Sequence, residues 1–424
     1  LHPGDPYGFA LNWYGWQDPM SQVLQNQPLA SYYMALAAGV LGWSEWALHF
    51  AFLLPALAAA MGIYRLARRL SANAVLTTWI ALLSPVFLVS SLTVMSDITM
   101  LALWMWALNL WISGEERNCA RRLAASALLA GLATLAKYFA IALVPLLFAY
   151  TLARRRRLGG WALYLMIPVV MLGAYQWWTG RLYGSGMFLN AVSYASTYGH
   201  GHGKFSLMTT GVSLAFLGGC VAATLIFAPK LWNPRWLLGG LLAAVVAAYV
   251  VYSTGVLKSY AHIRLTPANL QLLSAQMAVW LVAGVSILAL VVLDLRRHRD
   301  ASALLLALWI GGTFLFAGYV NWSMNGRSLL PLVAPAALLI VRQLESSQHD
   351  ARNLLASCTV PLALCALLSV ALLQADARFA DAGREAAHRI TGKYSPGTRR
   401  VWLDRKSTRL NSSHVSESRM PSSA

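Results

Sequence analysis

A handful of residues in this sequence combine chemical capacity with an apolar setting. Asp97, in LTVMSDITM, is the only acidic residue between Glu45 and Glu115. Lys137 stands in LATLAKYFAIAL, Arg264 in AHIRLTP and Arg327 in NGRSLLPLVAP, while a Gly- and Tyr-rich stretch carries Arg181, His200, His202 and Lys204. An ionisable side chain at the centre of a membrane helix costs roughly 2.5–3.5 kcal/mol, so each of these positions needs a reason. A carboxylate can accept the proton of an attacking hydroxyl, and cations can stabilise a phosphate whose charge grows as it departs. One carboxylate among several cations and aromatic rings therefore describes a site for an anionic, lipid-linked substrate.

Simpler readings exist for each residue. Ser96-Asp97 could cap a helix N-terminus, and Lys137 could extend its ammonium to the interface from a helix end. His200-Gly-His202-Gly-Lys204 could be a flexible loop that binds neither metal nor phosphate, and Arg327 could anchor a span at the membrane surface. Cys119, Cys220, Cys358 and Cys365 show no metal-ligand spacing and no disulfide framework.

The elements that must position these groups follow from composition. Of 424 residues, 58% are hydrophobic and 11% charged, against roughly a quarter charged in an ordinary soluble domain. With a mean hydropathy of +0.55, the apolar surface exceeds what one core could bury, which excludes a soluble globular protein. Twelve apolar segments read as transmembrane helices: 45–64, 72–91, 96–112, 121–136, 138–153, 159–178, 206–228, 235–254, 274–294, 302–320, 328–346 and 353–373. Residues 28–41 are apolar but short, and read as a helix in the outer interface.

The net charge of +18 would suggest nucleic acid in a soluble protein. Here it sorts by loop. One alternating set of loops holds seventeen Lys and Arg, from Arg65 to Arg352, and the other holds only Lys137, Arg181, Lys204, Lys258, Arg264 and Arg327. The first set is expected to be cytoplasmic, which places the candidate residues outside. Arg121-Arg122 and Arg154–Arg157 must share the inner side, so two spans must turn near Lys137. Residues 179–205 read as the longest outer loop. No internal repeat and no matched pair of broken helices of the transporter kind stands out.

Three stretches then carry a resemblance. QNQPLASYYMALAAGVLGWSEWALHFAFLLPALAAAMGIYRLARRL, VFLVSSLTVMSDITMLALWMWALNLW, and the pair LLAGLATLAKYFAIALVPLLFAY and NGRSLLPLVAPAALLI resemble, in order, motifs of the GT-C superfamily of membrane glycosyltransferases. The similar group is family 39, with the protein mannosyltransferases and the lipid A aminoarabinose transferase. The resemblance covers most of residues 20–345 and implies an all-α polytopic bundle of thirteen spans, twelve of them seen here. It makes Asp97 the family's second outer Asp, and Lys137 and Arg327 cations near the lipid phosphate. Asn26-Gln27-Pro28-Leu29 stands where the family has Lys-Pro-Pro-Leu. The principal catalytic Asp would precede Leu1, so the chain is expected to lack its first helix and its base. Asp5 and Asp18 match positions downstream of that Asp.

The organisation expected is an outer segment with interface helix (1–44), a transferase-like membrane domain (45–373), an outer C-terminal segment (374–403) and a tail (404–424). The tail resembles a translated sequencing adapter and is set aside as non-native. The function implied is sugar transfer from a polyprenyl-phosphate donor at the non-cytoplasmic face of the inner (plasma) membrane. Asp97 is the catalytic candidate, Lys137, Arg264 and Arg327 hold the donor phosphate, and Arg181, His200, His202 and Lys204 form a substrate loop. The partners are the donor, membrane lipids and an unidentified acceptor, with no nucleic acid. No cofactor or metal is expected, although a divalent ion stays open. The alternatives are a transporter or lipid flippase, or a structural membrane subunit, and convergence of Asp97, Lys137 and Arg327 on one cavity separates the enzyme from the structural subunit.

Overall fold

A computed structural model describes residues 4–13, 16–23, 26–198, 206–257, 266–321, 323–347 and 351–393. His200, His202, Lys204, Arg264 and the 404–424 tail lie outside the described residues. A two-stranded antiparallel hairpin, β1 (Ala10–Trp13) and β2 (Trp16–Pro19), sets Leu11 opposite Asp18. The helices are α1 (Met20–Val23), α2 (Leu29–Leu41), α3 (Glu45–Leu70), α4 (Ala74–Leu82), α5 (Pro85–Ser91), α6 (Ser96–Glu116), α7 (Ala120–Ala136) and α8 (Leu143–Arg155). They continue as α9 (Trp161–Tyr164), α10 (Met166–Tyr183), α11 (Met187–Tyr198), α12 (Leu207–Cys220), α13 (Ala223–Ile226) and α14 (Ala228–Leu231). The last six are α15 (Pro234–Thr254), α16 (Pro267–His298), α17 (Ala301–Leu315), α18 (Val333–Glu345), α19 (Ala351–Ser357) and α20 (Thr359–Lys393).

The twelve expected spans fall on helical segments, and the count of twelve is not confirmed by helix length and apolarity. Among the described residues seven helices are long and apolar enough to cross a membrane, or eight if the α4–α5 pair, bent by 69°, is one span. The reasons are local. Pro85 follows Ser84 at the α4–α5 break, and α12 ends at Val221 within the segment read as 206–228. Helix α6 is 21 residues long, but Asp97, Asn109 and three Trp dilute its apolarity. The 179–205 stretch expected as loop is helical over α11. Helix α20 runs unbroken through the boundary drawn at 373.

Helix α6 is the hub. Most of its residues are buried, with Ile98, Leu101, Met105, Ala107, Leu108 and Trp111 at 0% exposure. In a bilayer, small residues let backbones approach and polar side chains tie them together. Accordingly a Cβ on Gly62 of α3 would lie 2.7 Å from the Met105 Cβ, and Asn109 Nδ2 donates to Gly62 O at 2.8 Å. Ser126 of α7 donates to Ala107 O (2.7 Å), and Trp111 Nε1 donates to Thr151 Oγ1 of α8 (2.7 Å). By contrast α15 buries no residue and presents Trp236, Leu241 and Tyr249 outward, the surface of a helix solvated by lipid.

The tightest crossing is between α12 and α16. A Cβ on Gly284 would stand 2.1 Å from Leu214 O, and one on Gly218 would stand 2.0 Å from Trp280 O. Both obstacles are backbone, which cannot swing aside. Gly284→Ala is expected to cost about 1–3 kcal/mol through forced separation of the two helices, seen as a lower unfolding temperature in detergent. An unchanged midpoint would show that the crossing relaxes freely.

The two ends of the bundle differ in charge as the loop count predicts. The ends of α3, α6 and α8 meet at one end, where Arg69 pairs with Glu116 and Arg155 Nε reaches Glu115 Oε2 at 2.6 Å. Arg342 of α18 joins Asp294 of α16 there at 3.0 Å. The start of α6 and the end of α7 lie at the other end, together with the Gly326–Leu332 turn that leads into α18.

Candidate functional site

At that second end three separate chain breaks each deliver a charged group. Helix α6 begins after an extended Met95 (φ −139°, ψ 153°), which makes no side-chain cap. Asp97 thus sits in the first turn and is not the cap. Helix α7 stops at Lys137, whose backbone turns extended (φ −158°, ψ 124°) before a 3₁₀ turn over Tyr138–Ala142. Arg327 lies in a second 3₁₀ turn, Gly326–Leu332, whose start is held by Asn325 Oδ1 accepting from Ser328 N at 3.0 Å. Pro331, with no N–H to donate, sits inside that turn.

These breaks bring the three charges together. The Lys137 ammonium donates to Asp97 Oδ1, and Arg327 Nη1 lies 3.8 Å from Asp97 Oδ2 and 3.3 Å from Met95 Sδ. The Asp97 side chain is 3% exposed, against 26% for Lys137 and 35% for Arg327. A buried carboxylate therefore anchors two cations whose remaining N–H groups reach accessible space. One negative and two positive charges leave the cluster net cationic, suited to an anion. Lys137 is engaged in this pair and is not merely extended to the interface.

The cluster lines a cavity of about 1540 Å³. One wall is aromatic: Trp104 stacks on Phe139 (5.5 Å) and on Trp309 (5.9 Å), and Phe139 meets Phe316 at 4.4 Å. The other wall comes from the hairpin and α2, with Asp18, Gln27, Ser31 and Met34. Asp18 is a second carboxylate in the cavity, and among the described residues its side chain makes no ion pair or hydrogen bond. In sequence it has no site role beyond a position downstream of the family's principal Asp, because nothing in WQDP marks a cavity. Only the hairpin register shows it, by placing Asp18 across from Leu11.

Gln27 braces the Lys137 break. With its NH₂ toward Ala136 O (3.3 Å) and its oxygen toward Tyr138 N (3.1 Å), it spans the residues on both sides of Lys137. A chain of phenols supports the same wall. Tyr138 donates to Tyr175 (3.5 Å), whose hydroxyl is 3.0 Å from that of Tyr7, and Tyr7 donates to Asn26 O. Since the Tyr7 proton goes to Asn26, Tyr175 must be the donor to Tyr7. Burial, reinforced by the Tyr175 hydroxyl, pushes the Tyr7 phenol well above its usual range, so it stays protonated as this chain requires.

The remaining sequence candidates fare differently. Arg181 is exposed on α10, with its guanidinium 4.9 Å over the Trp177 ring, and is not among the cavity-lining residues. It lies in helix, not in a substrate loop. Arg264, His200, His202 and Lys204 lie outside the described residues, as noted. Among the described residues no group of three His, Cys, Asp or Glu could hold a metal ion.

Residues 25–178 match the family profile of dolichyl-phosphate-mannose-protein mannosyltransferases. The matched segment includes Gln27, Asp97 and Lys137, while Arg327 and Asp18 fall outside it. No curated protein matches the sequence. Among solved structures the chain is similar to ArnT from Cupriavidus metallidurans bound to undecaprenyl phosphate, at 18% identity and a TM-score of 0.42, covering 88% of this chain and 71% of that one. It is also similar to the archaeal oligosaccharyltransferase AglB from Archaeoglobus fulgidus, in complex with an inhibitory peptide and a dolichol-phosphate, at 14% identity and a TM-score of 0.46. That match covers 88% of this chain and 49% of AglB, so the chain spans about half its length.

Proposed function

We propose that this site transfers a sugar from a polyprenyl-phosphate-linked donor to a hydroxyl of a lipid, glycan or protein acceptor on the non-cytoplasmic face of the inner membrane. The observation that carries the reading is the convergence of Lys137 and Arg327 on Asp97 inside an aromatic-walled cavity, in a chain whose residues 25–178 match a mannosyltransferase family profile. The acceptor oxygen would form its bond to the sugar's anomeric carbon as the carbon–oxygen bond to phosphate breaks. The bonding pair would leave with the phosphate, whose growing charge the Lys137 and Arg327 N–H groups would meet. Asp97, already paired to both, serves to aim them. Of the two carboxylates lining the cavity the unengaged one is Asp18, which we assign as the acceptor of the hydroxyl's proton in place of the acid expected ahead of Leu1. The aromatic wall would take the apolar start of the lipid chain. Residues 45–373 would form the transferase body, with 1–44 and 374–403 on the acceptor side.

The test is an assay of membranes carrying the full chain for transfer from radiolabelled polyprenyl-phosphate sugars. Lys137→Gln removes one charge-assisted hydrogen bond to phosphate, a loss of about 10- to 100-fold in kcat/KM. No transfer from any such donor would overturn the reading, and an undiminished rate in Lys137→Gln would remove Lys137 from the phosphate site.

A further inference from the structure

The arginine-rich end of the bundle holds a second cavity, of about 660 Å³, between the end of α8 and the turn from α16 to α17. Its lining includes Tyr150, Arg154, Arg156, Leu295, Arg299 and Leu304. Three arginines meet on this one cavity. Elsewhere at this end some arginines are matched to carboxylates, Arg69 to Glu116, Arg155 to Glu115 and Arg342 to Asp294, and others to neutral groups, Arg122 to the Ser113 hydroxyl and Arg297 to Gln343 Oε1 at 3.2 Å. Among the described residues no carboxylate pairs with Arg154, Arg156 or Arg299. Arg154 is hydrogen-bonded to the Tyr150 hydroxyl (3.0 Å) and Arg299 Nε to Arg296 O (3.2 Å), both neutral acceptors, while Glu115 and Glu116 act on Arg154 through space without pairing with it.

The backbone adds a second observation. Arg156 (φ 54°) and Arg299 (φ 49°) are two of only three non-glycine residues with positive φ among the described residues. Each follows the last residue of its helix, at a position that glycine fills with less strain. Residues held at such positions are worth a functional question, and here both line the same cavity. Asp300 also lines it and caps α17, its Oδ1 accepting from Ala303 N at 2.7 Å; its one negative charge against three arginines leaves the cavity net cationic. The walls are mixed: Leu295, 38% exposed, and Leu304 lie beside the arginines. A free phosphate would use only the charges, whereas an amphiphile would use both.

We infer that this cavity binds the phosphate headgroup of an anionic phospholipid from the leaflet at the arginine-rich end, with the start of its acyl chain against Leu295 and Leu304. The site is separate from the Asp97 cluster and does not depend on transferase activity. Basic residues near a membrane surface attract acidic lipids by about 1 kcal/mol each, a charge effect that any arginine supplies. The assigned site must exceed that diffuse effect.

Native mass spectrometry of the full chain in detergent, titrated with short-chain phosphatidylglycerol, phosphatidylcholine or inorganic phosphate, reads the occupancy directly. Phosphatidylglycerol should bind, phosphatidylcholine should not, and inorganic phosphate should bind at least about 10-fold more weakly than the lipid. Arg154→Gln/Arg156→Gln/Arg299→Gln should lower phosphatidylglycerol affinity by at least about 10-fold, against little change in Arg68→Gln/Arg121→Gln/Arg157→Gln, which removes as many charges at the same end. The corresponding triple Lys variant, which keeps the charge if the Gln variant fails to fold, should retain selectivity for phosphatidylglycerol over phosphatidylcholine. Equal losses in both Gln triples, equal binding of the two lipids, or phosphate binding as tightly as lipid would each overturn the assignment.

Discussion

Asp18→Asn is expected to lower kcat for sugar transfer by about 100- to 10,000-fold, the usual contribution of a positioned general base, with KM for the donor little changed. The expectation rests on a division of labour between two carboxylates in one cavity. Asp97 is 3% exposed and its oxygens face Lys137 and Arg327; a carboxylate held between two cations is a poor proton acceptor. Asp18 stands on β2, lines the same cavity and has no counter-ion among the described residues. Because amide and carboxylate have the same shape, Asn at position 18 keeps the hairpin while removing the base. A kcat within about threefold of the parent, too small a loss for a positioned base, would refute this role.

The second large effect concerns folding as much as catalysis. Asp97→Asn leaves Lys137 and Arg327 facing each other without the charge that holds them, and breaking a buried pair from one side costs about 3–5 kcal/mol. The unfolding temperature in detergent should fall accordingly. The double variant Asp97→Asn/Lys137→Gln should recover part of that loss, because one of the stranded cations is gone with the carboxylate. The difference between the double variant and the sum of the single ones measures the coupling. Additive losses would mean that Asp97 and Lys137 stabilise the fold independently, contrary to the geometry. Transfer activity should not recover in the double variant, since the phosphate would then have lost Lys137. Folding and chemistry are thereby separated in one pair of measurements.

The two carboxylates also show how far local sequence carries functional information. Asp97 stands out because an acid in an apolar run is costly, so its chemistry is legible from the amino-acid pattern alone. Asp18 lies in a polar stretch where an acid costs nothing, and its importance comes only from the hairpin. Gln27 is a similar case. In sequence it is a departure from the expected Lys-Pro-Pro-Leu, and in the fold it bridges the residues flanking Lys137. Arg181 fails in the opposite sense: Gly and Tyr content suggests a loop, yet α10 continues to Tyr183 and carries Arg181 onto Trp177. Hydropathy by itself does not settle the span count, because it measures how apolar a segment is, not whether its helix stays whole. Breaks at Leu83–Ser84 and Val221 depend on packing and on local backbone geometry.

What the sequence by itself determined is the solvent, together with a charge pattern from which sidedness is expected. Its apolar fraction exceeds any core, and its arginines sort by alternate loops, because charge is expensive to translocate and hydrocarbon is the only solvent for so much apolar surface. Convergence was left to the tertiary structure. Asp97, Lys137 and Arg327 come from the start of α6, the end of α7 and a turn before α18, and no local pattern states that those three ends share one cavity. The same holds for Arg154, Arg156 and Arg299 at the other end. Helix packing through small residues and interhelical hydrogen bonds fixes which ends meet, and that information is distributed over every contact surface in the bundle.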